Sequence, residues 1–398
     1  MHLFETDNDR ITYEEGDDYI EPYVSLVESD NSVHYNKPLE TRVVAVFNVT
    51  STTNPTKILQ QSSVFTSIEV DDVEQSSVAS GYTFDTLGEH TVKYTLANET
   101  SIGGGAFAVC GSLVNITIPS SVTNIGDSAF INCSDLTSVV IPNSVTSLAD
   151  YAFKGCKNLT SATLSNSITR IGYSTFEDCS GLTSIDIPNS VTSIYAMAFR
   201  YCSGLTSVTF GSGLTSIGNQ AFQRCVNITS ITIPDSVTSI ESYAFQTCSG
   251  LTSVVIGSGL TSIGDYAFNG CISLTSVTVN SNVATNGAFS GMSSIREITI
   301  GNSITNIGND AFSKCSGLTN VIIGSGVTNI GEEVFYSCSS LTSISSLAIT
   351  APTINYITFD TVKTNGTLYV PIGSSGYDTW MQNAQRYLGY YNWTKVEQ

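Results

Sequence analysis

The chain has 398 residues, 41% of them hydrophobic and only 12% charged, with a formal net charge of −19. Enough apolar side chain is present to offset the entropy of ordering, which argues against disorder, and no stretch approaches the 18 or more apolar residues of a membrane span. A chain this acidic is a poor ligand for nucleic acid or anionic membrane, both of which need clustered Lys and Arg.

The charge is uneven. Residues 1–90 hold 17 Asp/Glu against 4 Lys/Arg, a balance of −13, while residues 91–398 hold 17 against 11, a balance of −6. Residues 1–20 read as an acidic arm. Its patch of Asp7, Asp9, Glu14, Glu15, Asp17 and Asp18 lacks the regular spacing of a calcium loop, so solubility is the simpler reading. The start, Met1 to Asp9, has neither the basic nor the apolar segment of a secretion signal. Residues 21–94 follow with alternating runs, Arg42–Val49, Val64–Val70 and Tyr82–Leu96, which predict strands.

From about residue 95 to 347 a 23-residue period dominates. Phe107, Phe130, Phe153, Phe176, Phe199, Phe222, Phe245 and Phe268 are evenly spaced; after one short unit at Phe289 the period resumes with Phe312 and Phe335. All ten cysteines lie three residues after one of these phenylalanines, and Met292 fills the slot that the short unit leaves without one. A period of this length predicts a solenoid, in which no unit buries its apolar face alone and stacking supplies the core. Within one unit Leu136, Val139 and Ile141 point inward from a strand, Val145 and Leu148 supply a second inward pair, and Ala152 and Phe153 pack a returning arc expected to be a turn of helix or 3₁₀. Gly126, Gly172, Gly218, Gly264, Gly308 and Gly331 recur at the bend before that arc, where a missing Cβ relieves the turn. Residues 348–398 read as a cap: a strand at 366–371 and an amphipathic helix over 376–396, with Tyr377, Trp380, Met381, Ala384, Leu388 and Trp393 on one side.

The unit resembles the bacterial BspA-type leucine-rich repeats, with the motif L-T-S-[IV]-x-[IL]-P-x-[SG]-V-T-S-I-G-x-x-A-F-x-x-C. The clearest matches run from Leu182 to Cys202 and from Leu251 to Cys271. The resemblance implies a mainly β leucine-rich-repeat solenoid, exposure on a surface, adhesion to host proteins or other cells, and no catalysis. Residues 21–94 resemble a small immunoglobulin-type β-sandwich, which would cap the solenoid at its N-terminal end.

Ten cysteines in an exported chain suggest disulfides, but parallel side chains on adjacent coils keep the Cβ atoms near 5 Å apart, beyond the roughly 3.5–4.5 Å a disulfide wants. An unlinked cysteine ladder packed as small apolar filler is therefore expected, and no metal, since the repeats hold no histidine. His2, His34 and His90 stand in no catalytic pattern, no phosphate loop or nucleophile elbow occurs, and Glu14-Glu15 and Glu332-Glu333 read as solvated faces. The expectation is a non-enzyme without a cofactor.

The outward strand positions form two rows, Asn115 through Ser184, Ser207 and Ser230 to Ser343, and Thr117 through Asp186, Thr209 and Thr232 to Ser345. Rows of this kind suit a solvated sheet of good β propensity, a broad binding face for protein or glycan, or an ice-binding face. As a binding face its candidate contacts are Asp186, Arg296, Glu297, Ser184, Ser207, Thr209, Ser230 and Thr232. Two roles fit: an adhesion or recognition protein on the exterior of a cell, binding a surface protein or glycan, or a structural component of a bacteriophage virion, attached to capsid or tail proteins through residues 1–94. Neither calls for nucleic acid or membrane insertion.

Overall fold

A computed structural model describes residues 41–282, 288–355 and 357–398. The acidic arm at 1–20, the histidines at 2 and 34, and the first part of the expected sandwich, 21–40, lie outside the described residues. What residues 41–96 show is an antiparallel sheet. Arg42–Val49 pairs with Gly88–Leu96, which pairs on its other edge with Phe65–Val70. Alternation explains it: Val43, Ala45, Phe47 and Val49 all point to the buried side of their strand. Arg42–Val49 also pairs antiparallel with Leu113–Thr117, the first main strand of the solenoid, so cap and solenoid share one sheet.

Beyond it each coil contributes one main strand and one two-residue strand, both in parallel ladders. Ser138–Val140 pairs with Ser161–Thr163, for example, and Ser147–Leu148 with Asn124–Ile125. Inward residues of successive coils meet, and the phenylalanines form a column. From Phe107 to Phe268 the ring centroids are 5.0–5.5 Å apart, and up to Phe245 the rings are within 8° of parallel between neighbours. The column is closed at one end by Tyr94 and Phe65 against Phe107, and at the other by Trp380 against Phe359. Around the short unit it loosens, to 6.1 Å between Phe289 and Phe312 and 6.2 Å between Phe312 and Phe335. A cavity of about 10 Å³ beside it is lined by Val279, Ile300, Ile304 and Phe312.

The returning arc differs from expectation. It is a run of turns rather than helix or 3₁₀. Alternate residues bond inside the coil, Ile131 N–H to the Ser128 carbonyl (3.1 Å) and Cys133 N–H to that of Phe130 (3.2 Å). The residues between them donate to the next coil, Phe130 to Ala152 (2.8 Å) and Asn132 to Lys154 (2.7 Å). Two slots per coil, two residues before and two after the phenylalanine, therefore take φ near +60°, as at Ser128 and Asn132 or Tyr243 and Thr247. Side chains with a Cβ pay about 1–2 kcal/mol there, offset by hydrogen bonds that no helix would make between coils. Gly264 of the bend, by contrast, has an ordinary φ. A Cβ there would come within 2.3 Å of the Ser242 nitrogen, so the glycine serves the close approach of the neighbouring coil rather than the turn.

The ten cysteines are buried and unlinked, and nine of the thiols donate to a carbonyl. Cys179 Sγ, for instance, reaches the Phe153 carbonyl of the preceding coil at 3.1 Å. That carbonyl also accepts the Cys156 N–H, so the cysteine slot satisfies the arc as well as filling space. Burial pushes the thiols up, Cys156 and Cys315 to about 12.

Stacking continues past residue 347. Thr353–Ile354 extends the two-residue ladder, Phe359 extends the column at 5.9 Å from Phe335, and Val362 fills the cysteine slot. Thr367–Val370 adds a further main strand. The helix expected over 376–396 is absent. That segment forms two short 3₁₀ turns, Tyr377–Thr379 and Leu388–Tyr391, and an edge strand, Thr394–Glu397. Its apolar residues plug the open end of the core instead: Trp380 Nε1 donates to the Pro352 carbonyl (2.9 Å) and Trp393 Nε1 to that of Lys363 (2.8 Å). Gly366 lies flat under Trp393, where a Cβ would come within 2.3 Å of the indole.

Two outcomes test this packing. Phe199→Ala, in mid-column, is expected to lower unfolding stability by about 3–5 kcal/mol in urea titration, since the hole cannot collapse between two fixed coils. Thiols whose folded pKa is raised contribute stability that is complete below the free-thiol pKa of about 8.5 and is lost as pH rises through the folded values. Unfolding midpoints should therefore hold steady up to that pH and fall steeply from there toward 12, while thiol reagents at pH 8 find ten thiols only after denaturation.

Candidate functional site

The main strands carry the candidate face, and their parallel register fixes which residues stand side by side. Ser184 pairs with Ser207 and Asp186 with Thr209, while Ile185 and Val208 between them point inward. The next main strand, Ser230–Ile233, carries Ser230 and Thr232 beside them, although no ladder pairing joins it to Ser207–Thr209. These six residues are all exposed and form one patch three strands wide. Arg296 and Glu297 are also exposed, yet they lie five strands further along, roughly 24 Å away at the usual strand spacing. The structure does not bring them to Asp186.

Arg296 leaves the face altogether. It occupies a corner slot that holds Thr in the neighbouring coils, and its guanidinium turns back to donate to the Ser293 carbonyl (2.7 Å) and the Ile295 carbonyl (3.2 Å). Glu297 stays in the outward row, between Ser276 and Asn320.

Hydroxyl groups divide into two populations. The corner threonines just before the main strands donate to the backbone of the preceding coil, Thr229 excepted: Thr183 to the Thr160 carbonyl (3.2 Å), Thr206 to that of Thr183 (3.0 Å), Thr252 to that of Thr229 (2.9 Å). A second ladder runs before the two-residue strands, as in Thr215 to Thr192 (2.8 Å) and Thr261 to Thr238 (2.8 Å). One residue after the corner, the hydroxyls of Ser184, Ser207 and Ser230, and three residues after it those of Thr209 and Thr232, have no hydrogen-bond partner in the protein. The L-T-S signature of the main strands thus hides two roles in adjacent letters, one bonded to the backbone and one left for solvent or ligand, whereas on the second ladder Ser216 bonds to Ser193 (3.0 Å). The sequence gives no sign of this, because Ser and Thr fit either role.

Other chemistry finds little to work with. Among the described residues no three His, Cys, Asp or Glu side chains converge as a metal would require. His90 contacts Asp71 through Nδ1 (2.6 Å) and both the carbonyl (3.0 Å) and the hydroxyl (3.2 Å) of Thr86 through Nε2, holding a hairpin. The cysteines are sealed in the core.

The BspA type leucine rich repeat region family matches the chain in six copies, over residues 82–203, 173–287 and 284–371. Among solved structures, the chain is similar to a leucine-rich repeat protein from Bacteroides ovatus, with 24% identity over 79% of this chain and 90% of that one and a TM-score of 0.50. It is also similar to a leucine rich cell surface protein from Faecalibacterium prausnitzii, at 27% identity over 64% and 84% with a TM-score of 0.32. The pneumococcal vaccine antigen PcpA is 18% identical over 75% and 77%, with a TM-score of 0.36. The first of these likenesses supports the fold. No curated protein matches the chain.

The two hydroxyl populations separate by mutation. Thr206→Val keeps the shape and removes a bond to the backbone, with an expected loss of about 0.5–1.5 kcal/mol. Ser207→Ala, its neighbour on the open row, should cost within about 0.5 kcal/mol, as a surface change does. Denaturation midpoints of the two variants check the difference.

Proposed function

The chain belongs to the BspA-type leucine-rich repeat family, and from that premise we propose that it is a non-catalytic recognition protein working on the exterior of a cell or particle, with the main-strand face as its binding platform. The patch of Ser184, Asp186, Ser207, Thr209, Ser230 and Thr232 is the core of the contact. The observation that carries the reading is the uncommitted hydroxyl rows beside corner threonines that, Thr229 apart, bond to the preceding coil: the outward groups are held at fixed spacing by the coils and have nothing else to bond.

Several features support it. A preorganised face loses little conformational freedom on binding, which favours affinity for a rigid partner. Asp186 places one carboxylate among neutral donors and acceptors and would orient a protein or glycan ligand. Glu297 offers a second contact for a ligand long enough to span the intervening coils. No helix among the described residues is long and apolar enough to cross a membrane.

The test is a binding screen of the purified chain against immobilised extracellular-matrix proteins and a glycan array, run beside a Ser207→Arg/Thr232→Arg variant of unchanged melting temperature. Retention on a defined ligand, weakened about tenfold or more in the variant, is the expected result. Binding that the variant leaves untouched would remove the main-strand face from the reading.

A further inference from the structure

The cations of the solenoid are not spread over it. Between residues 97 and 295 the only Lys and Arg are Lys154, Lys157, Arg170, Arg200 and Arg224, and none stands in the outward rows of the main strands. Four of them lie over a tyrosine ring: Lys154 on Tyr151 (5.8 Å), Arg170 on Tyr195 (5.1 Å), and Arg200 and Arg224 on Tyr201 (4.6 and 5.6 Å). About one such pair is expected in a stretch of 70–80 residues, so four between residues 151 and 224 is a concentration.

The acidic groups nearby are already engaged. Glu177, buried beneath the strip, faces Lys154 (2.8 Å) and Arg200 (3.7 Å). Asp178 faces Lys157 (3.6 Å), and Asp150 accepts the Tyr173 N–H (3.0 Å). Five cations against these three carboxylates leave +2 in a chain whose total is −19. Arg170 and Arg224 are exposed, and neither makes an ion pair or a side-chain hydrogen bond, so the ring each rests on orients its guanidinium while leaving the donors free. Tyr173, half exposed, meets Tyr195 edge-on at 5.1 Å and widens the aromatic surface.

We propose that this cation–tyrosine strip, on the arc side of the coils spanning residues 151–224, is a second binding surface, and that its ligand is an acidic polysaccharide. Oriented guanidinium forks recognise sulfate or carboxylate in bidentate fashion. The exposed rings of Tyr151 and Tyr173 supply flat apolar area for the C–H faces of sugar rings, which an acidic peptide lacks. Each of the four successive coils supplies at least one of these cations, so a charged polymer laid across them meets a cation on every coil. Nucleic acid is disfavoured by the acidity of the rest of the chain. The strip is separate from the hydroxyl rows and does not depend on their role.

Direct binding tests it, with a heparin dodecasaccharide, an oligogalacturonate, neutral dextran and poly-L-glutamate as probes at low and physiological salt. Expected are salt-sensitive binding to at least one of the two acidic glycans, none to dextran and weaker binding to poly-L-glutamate. Preference between the two glycans assigns sulfate or carboxylate as the recognised group. Arg170→Gln and Arg224→Gln should each weaken binding roughly tenfold, the scale of one lost charge-assisted contact. Tyr201→Ser should weaken it while Tyr201→Phe does not, and Ser207→Arg on the other face should not weaken it. No binding to either acidic glycan, equal binding to poly-L-glutamate, or full binding by an Arg170→Gln/Arg224→Gln variant of unchanged melting temperature would overturn the proposal.

Discussion

Each coil must present the same side chain at the same height as its neighbours, and the phenylalanine column is where that constraint is strictest. A ring every 5.0–5.5 Å leaves no room for a coil to slip or rotate, because a displaced ring would meet the backbone of the next coil. Strand register, the threonine ladders and the thiol bonds to the phenylalanine carbonyls all follow from coils held in that alignment. So does the need for plugs: Tyr94 and Phe65 at one end and Trp380 at the other cover rings that would otherwise face water.

Much of this was legible in the sequence, since a repeat prints its own alignment. The 23-residue spacing identified the column, the unlinked cysteine slot and the membership of the outward rows, all of which rest on side chains with one physical task in every coil. Legibility fell where one letter served two tasks or a task changed hands. The coil at Phe359 follows Phe335 by 24 residues and carries Val362 in place of cysteine, so the pattern search stopped short of it. Trp380, Leu388 and Trp393 suggested a helix by their spacing, whereas what placed them was the shape of the open core end. The arc was expected as a turn of helix or 3₁₀ because it is short, yet intercoil hydrogen bonds shape it instead and hold residues such as Tyr243 and Thr247 in left-handed conformations.

The candidate face was readable as rows but not as a site. Counting outward positions gave Ser184, Asp186 and their neighbours, and the register confirms the rows. It also grouped Arg296 with Asp186, although one guanidinium is bonded into its own turn at the far side of several coils. The cation–tyrosine strip escaped notice because Arg170 and Tyr195, or Lys154 and Tyr151, occupy different slots of the repeat and meet only after the chain has wound. The coils spanning residues 151–224 thus carry side chains of unlike chemistry on one frame, neutral hydroxyls outward from the main strands and cations over tyrosines on the arc.

The short unit at Phe289 matters for how the stack would carry a load along its axis. Tension along the axis loads coils in series, so extension begins at the weakest link rather than being shared. The links from Phe289 to Phe359 are the widest in the column, 5.9–6.2 Å, and a void adjoins them. Under such a load the rings would part most readily there, while the ladder of main strands from Ser230–Ile233 to Thr394–Glu397 crosses the same stretch unbroken, so the core and the sheet of this solenoid have their weak points in different coils.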